Sequence, residues 1–152
     1  MIERTRAGAK EIILGKLYQR GQFLTWSRSQ KDTFLAYYKI NTIVNLWTKL
    51  DNELLPKSND WLYIHWPIES HTLPAKDTMA YLLNMLVDFM HQEDRVLLVH
   101  CEAGVSRSIF LSVLLVARYY GWSGMHALGH VEKCCGRSKL AKEQMEYLLK
   151  IE

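Results

Sequence analysis

The sequence predicts an α/β fold, a single three-layer domain with a mostly parallel central sheet flanked by helices. Three observations predict it. Two short strand-like segments punctuated by glycines stand near the start, and strand-like and helical patterns alternate after them. Residues 95–100 (RVLLVH) form a brief, nearly continuous apolar run, as a strand buried on both faces of a parallel sheet requires. At 152 residues, 49% hydrophobic and 23% charged, the chain can bury one core, and neither disorder nor a fibrous repeat fits.

In chain order, residues 11–14 (EIIL) and 15–21 (GKLYQRG) read as the paired strands. Residues 27–38 read as a helix with Phe34, Leu35 and Tyr38 on one side and Ser27 or Ser29 as its N-cap. The segments 42–47 (TIVNLW) and 61–66 (WLYIHW) are strands, the second stopping at Pro67. From 74 to 91 the apolar residues Met79, Leu82, Leu83, Leu86, Phe89 and Met90 recur at three and four, which predicts an amphipathic helix opened by Pro74 and Asp77. After the apolar strand, residues 108–120 form a helix that is apolar on nearly every side and ends at Gly121, so it should be the buried central one. Helices over about 124–134 and 140–150 complete the chain. There is no internal repeat, and Pro56, Pro67 and Pro74 fall in connecting sequence, so residues 1–152 are read as one domain.

Charge and cysteine usage narrow the class. The longest nearly apolar stretch, 109–117, is interrupted by Ser112 and falls short of the ~20 residues a membrane span needs. Nor is the charged N-terminal segment followed by the apolar stretch of a secretory signal. Three cysteines, with Cys134 and Cys135 adjacent, make no disulfide framework, so a reducing compartment, cytoplasmic or nuclear, is expected. The net charge of +3 is a local excess: residues 1–31 carry seven Lys/Arg against two Glu, and a basic segment over about 1–10 is read as a flexible arm. Such an arm can favour an anionic partner, nucleic acid included, although a solvated charged surface explains it more often.

The informative stretch is HCEAGVSRS, residues 100–108, between the apolar strand and the apolar helix. Open α/β sheets bind ligands at such junctions, where unpaired N–H groups at a helix start and a tight loop converge on one point. A phosphate suits that point. The loop residues Glu102, Ala103, Gly104, Val105 and Ser106 offer their backbone, and Gly104 supplies the freedom to turn. Arg107, in the first helical turn, can fold its planar fork over two phosphate oxygens. Cys101 lies at the base of the loop, where the same N–H groups favour a charged sulfur, and Ser108 can donate a hydrogen bond to it. A thiolate beneath an anion-binding loop is suited to phosphoryl transfer to sulfur, with no metal or other cofactor required. Cysteine followed six positions later by arginine arises by chance in roughly one chain in ten, but with His100, Gly104 and Ser108 in register the odds fall to about one in 10⁴. Cys134 and Cys135 serve as a control, since Leu140 and Ala141 stand where the arginine would be.

This run is similar to the signature of the cysteine-based protein tyrosine phosphatase superfamily, and the segment 96–108 resembles its small dual-specificity branch. The resemblance extends over most of the chain: residues 38–46 match the strand after the first helix, 61–74 the acid loop and 127–149 the terminal helices. It implies a dual-specificity-phosphatase-like fold, a nucleophile at Cys101, phosphate binding by the loop with Arg107, and a carboxylic acid on the loop before the long helix. The family places an aspartate there, about thirty residues before the cysteine. Here WPIESHTLP, residues 66–74, contains none, and Glu69, 32 residues before Cys101, is its only carboxylate. Asp77, for which a helix cap is the simpler role, and His71 remain as alternatives.

Other patterns carry less. His126, His130 and Cys134 recur at the spacing of one helix face, which can hold a metal, but a single helix offers no fourth ligand and surface histidines are commoner. Trp47, Trp61 and Trp66 fall in or beside strands and are read as core or pocket wall rather than as platforms for bases. The reading is therefore a monomeric, metal-independent phosphatase, with Cys101, Arg107, Ser108, Glu69 and His100 as its catalytic residues, acting on phosphotyrosine and on phosphoserine or phosphothreonine in proteins. RNA 5′-triphosphatase and phosphoinositide phosphatase activities on the same loop, or a near-inactive phosphate-binding adaptor, are the alternatives. Glu102 within the loop argues against a multiply charged lipid headgroup, and an intact Cys101 argues against an adaptor.

Overall fold

The computed structural model describes residues 8–54, 60–69 and 72–152, so residues 1–7 of the expected arm lie outside it. The elements run β1 (Lys10–Ile13), β2 (Leu17–Arg20), α1 (Arg28–Tyr38), β3 (Thr42–Asn45), a 3-10 turn (Asn52–Leu54), β4 (Leu62–His65), α2 (Lys76–Met90), β5 (Leu97–His100), α3 (Arg107–Tyr120), α4 (Gly124–Cys135) and α5 (Lys142–Leu149). They form the three layers expected. The sheet order is β1-β2-β5-β3-β4, with β1 antiparallel to β2 and every other pair parallel. The apolar run therefore becomes the middle strand, with all four β5 residues buried.

Alternation along β5 divides the core. Leu97 and Val99 face the cluster built by α2, α3, α4 and α5, whereas Leu98 packs in a smaller cluster with Tyr18, Phe34 and Ile43 beneath α1. In α3 every residue from Arg107 to Ala117 is buried, which explains why its apolar residues leave no polar face. Each such aliphatic side chain contributes roughly 1.5–3 kcal/mol of burial free energy. The helix ends at Gly121, whose φ of +70° is left-handed.

Local chemistry fixes where elements start and stop. Ser27, not Ser29, caps α1: its hydroxyl accepts from Gln30 N at 3.1 Å while the Gln30 side chain accepts from Ser27 N at 3.0 Å. Strand β3 stops at Asn45, two residues short of the expected end, because the Asn45 side chain accepts from Trp47 N and donates to Lys49 O, turning the chain. Helix α2 begins at Lys76 rather than Pro74. Ala75 is its N-cap and Asp77 lies in its first turn, so Asp77 complements the helix dipole without capping the end.

Part of the N-terminal basic excess is structural. Lys31, 1% exposed, meets Asp51 at 2.9 Å and Glu53 at 2.6 Å and ties the 3-10 turn to α1. The Arg20 guanidinium lies over the Trp26 ring at 4.4 Å. Among the described residues no helix is long and apolar enough to cross a membrane.

Candidate active site

Between the end of β5 and the start of α3, residues 101–106 form a loop at the carboxyl edge of the sheet. Gly104 adopts φ +77°, and a Cβ there would lie 2.6 Å from Gly21 N, so only glycine lets the β2–α1 connection come this close. The loop is held from several directions. Gln22 N donates to Glu102 O at 2.8 Å, Lys139 N donates to Val105 O at 2.9 Å, and Ser106 Oγ donates to Gln144 Oε1 at 3.4 Å. Gln19, on β2, reaches under it: Nε2 lies 2.7 Å from Gly104 O and 2.8 Å from Ser108 Oγ. Among the described residues no side chain caps the first turn of α3, as suits an anion site at a helix start.

Cys101 is 2% exposed and sits at the base. Gly104 N donates to its sulfur at 3.3 Å, and Ser108 Oγ lies 3.2 Å from it. Arg107, nearly buried, donates from Nη1 to Ile68 O at 3.0 Å and has Nη2 3.9 Å from Glu102 Oε1. Arg107 thus contacts the backbone of the expected acid loop directly. Glu102 itself is exposed at the loop's rim.

His100 precedes the cysteine but packs in the other layer, its ring edge-on to Phe23 with centroids 5.3 Å apart. Nδ1 is 3.3 Å from Cys101 O, and Nε2 is buried without a partner among the described residues. Burial pushes its pKa down to about 4; the hydrogen bond to Cys101 O opposes this, and Arg20 and His65 add to it. The neutral ring with a proton on Nδ1 is the form that can donate to that carbonyl, so His100 bears on the loop's shape.

Glu69 is exposed, one residue beyond the Ile68 carbonyl that Arg107 engages. Its own carbonyl accepts from Thr72 N at 3.2 Å and Thr72 Oγ1 at 2.8 Å, beside a cavity of about 240 Å³ walled in part by Trp66 and Pro74. Asp77 is exposed on the first turn of α2, and His71 lies outside the described residues. The other thiols differ from Cys101 in setting. Burial pushes Cys135 up to about 12, with Cys134 adding to it, and burial also raises Cys134 against the opposing charge of Lys133. The expected histidine face is engaged elsewhere: His126 stacks on Trp122 at 4.1 Å, and His130 Nε2 lies 2.8 Å from Ile12 O. Among the described residues no three His, Cys, Asp or Glu side chains converge as metal ligands.

Sequence reasoning missed Gln19 and Gln144. Both are single polar residues in amphipathic or apolar surroundings, and only the strand register, which sets Gln19 beside Val99, brings the first under the loop.

A cysteine sulfur below an anion-shaped loop, closed by an arginine, is the arrangement of a cysteine-dependent phosphatase. The family model "Dual specificity phosphatase, catalytic domain" matches residues 22–152, and the chain belongs to that family. No curated protein sequence matches it. Similar solved structures include the PTP-2 phosphatase of Cydia pomonella (23% identity, 95% of this chain and 89% of that one, TM-score 0.71). A point variant of human DUSP28 is 14% identical over 94% of each chain, with a TM-score of 0.71. PTPMT1 in complex with PI(5)P is 12% identical over 93% of this chain and 92% of that one, with a TM-score of 0.74. At these identities the likeness is one of fold.

Proposed function

We propose that this phosphatase acts on phosphorylated proteins, hydrolysing phosphotyrosine and, more slowly, phosphoserine and phosphothreonine through a phosphocysteine on Cys101. In the first step the sulfur attacks phosphorus, the ester P–O bond breaks, and the leaving oxygen takes a proton from the acid loop. In the second, water attacks phosphorus, the P–S bond breaks with its electron pair returning to sulfur, and the water's proton goes back to the acid. The backbone of Glu102, Ala103, Gly104, Val105 and Ser106, with the guanidinium of Arg107, holds the equatorial oxygens. Those donors supply the charge stabilisation that a metal gives in other phosphatases. Arg107 leaves Ile68 O to engage the phosphate bidentately, and Ser108 supports the sulfur as it leaves. Glu69 is the proposed proton donor, because its residue adjoins the one Arg107 already holds. The domain, 1–152, acts as a monomer, and its three free thiols suit a reducing compartment.

The observation that carries the reading is the Cys101 sulfur receiving the Gly104 N–H at the foot of the Arg107 loop. Protein rather than polyanion is favoured by the exposed Glu102 carboxylate at the rim, which repels a headgroup or triphosphate bearing several charges. The test is phosphate release, with chelator present, from an aryl phosphate, phosphotyrosine and phosphoserine peptides, a phosphoinositide of the kind PTPMT1 binds, and 5′-triphosphorylated RNA. Aryl phosphate and phosphotyrosine should lead. A kcat/KM higher by tenfold or more for the lipid or the RNA would reassign the substrate.

A further inference from the structure

Ser108 Oγ and Cys101 Sγ are 3.2 Å apart, and either atom can in principle donate to the other. The direction matters, because a hydroxyl that gives its proton to sulfur stabilises the thiolate, and one that turns away does not. Gln19 settles the direction. It is 2% exposed on β2, with one side-chain amide atom 2.7 Å from Gly104 O and 2.8 Å from Ser108 Oγ. A backbone carbonyl only accepts, so the atom facing Gly104 O must be the amide nitrogen and not the oxygen. That nitrogen has two hydrogens. One goes to Gly104 O and the other to Ser108 Oγ, which therefore accepts from Gln19 and must direct its single proton elsewhere. Apart from Gln19, the partner of that hydroxyl among the described residues is the Cys101 sulfur, and Ser108 is fully buried, so water does not compete. The Ser108 backbone carbonyl is occupied separately, accepting from Ser112 Oγ at 2.6 Å.

We propose that Gln19 is a positioning residue for the reaction: by donating to both Gly104 O and Ser108 Oγ, it commits the Ser108 proton to the Cys101 sulfur. The inference rests on the reading of Cys101 as nucleophile. Its effect falls where sulfur carries charge, in the free thiolate before attack and in the second step, when the P–S bond breaks and the electron pair returns to sulfur. The bond to Gly104 O gives the same side chain a purely structural task, and the two roles separate experimentally.

The test is a double-mutant cycle of Gln19→Met, Ser108→Ala and the pair, alongside Cys101→Ser. Two quantities are read: the pH midpoint for alkylation of Cys101 by iodoacetamide, and kcat on an aryl phosphate. Gln19→Met keeps the length and loses the donor. It should move the alkylation midpoint up by about one pH unit and lower kcat roughly tenfold, with phosphoenzyme accumulating. In the Ser108→Ala background the same change should do little. Equal effects in both backgrounds would assign Gln19 to loop structure through Gly104 alone, and a wild-type midpoint in Gln19→Met would overturn the inference outright. Turnover by Cys101→Ser would instead overturn the nucleophile on which it rests. Should Gln19→Met not fold, the wild-type side-chain amide protons of Gln19 report the coupling by NMR: they should shift as Cys101 ionises and cease to shift in Ser108→Ala. Failure to shift in the wild type contradicts the inference.

Discussion

In the proposed mechanism Glu69 is the residue on which the rate for each substrate class turns. It carries one methylene more than the aspartate that the resemblance leads one to expect, and a misplacement of about 1 Å can cost on the order of 10²-fold. Alkyl phosphoesters, whose leaving oxygen needs the proton, should therefore turn over slowly, and aryl phosphates much less so. Glu69→Gln should slow phosphoserine peptides more than activated aryl phosphates and flatten the alkaline limb of the kcat/KM profile. Equal rates for mutant and wild type on phosphopeptides at every pH would transfer the role to Asp77 or His71. His100 gives a separate, thermodynamic signature. Its pKa falls to about 4 in the fold against about 6.5 in the unfolded chain. Between those values the unfolded chain binds the proton and the native one does not, so stability is full above pH 6.5 and declines as the pH falls toward 4, by up to about 3 kcal/mol. Denaturant melts from pH 7 to 4 should show that loss. A slope unchanged in a folded His100→Asn variant would assign it to other groups.

At the level of elements, the loop between β5 and α3 depends on the closeness of β2 and the connection that follows it. Gly104→Ala faces both a positive φ and a contact 2.6 Å from Gly21 N, with backbone on the other side and so no room to yield. It should cost about 1–3 kcal/mol of stability and at least 10²-fold in kcat. Gly129 is the contrast. It is exposed in α4, a Cβ there meets nothing within 4 Å, and Gly129→Ala should leave activity intact and stabilise by roughly 0.5–1 kcal/mol. Thermal melts and kcat on one aryl phosphate check both. A wild-type kcat in Gly104→Ala would mean that the loop does not need its tight approach to Gly21. The boundaries of elements were the least legible part of the sequence for the same local reasons: the end of β3 is set by the Asn45 side chain, and the choice between Ser27 and Ser29 by which of them has Gln30 three residues on.

For the whole molecule, the class of fold was readable because its middle layer leaves an unambiguous trace. An apolar strand followed by an apolar helix has few homes other than the centre of a parallel sheet, and that is where β5 and α3 lie. The order β1-β2-β5-β3-β4 was not readable, since it depends on pairings between segments far apart in sequence. Whatever depends on that order was hidden as well. Gln19 comes under the loop only because β2 pairs with β5, and Lys31 meets Asp51 and Glu53 only because the 3-10 turn folds back on α1. Cys101, Gly104, Arg107 and Ser108 stood out because one local segment contains them all.

In the proposed mechanism phosphate passes through the Cys101 sulfur. Rapid acid quench during turnover of an aryl phosphate, followed by peptide mapping by mass spectrometry, tests it most directly. Phosphate should be found on Cys101 and on neither Cys134 nor Cys135, at a level that rises when the second step is slowed, and Cys101→Ser should form no phosphoenzyme and release no product. Turnover without a phosphocysteine, phosphate on another side chain, or more than a few per cent of activity in Cys101→Ser would contradict it.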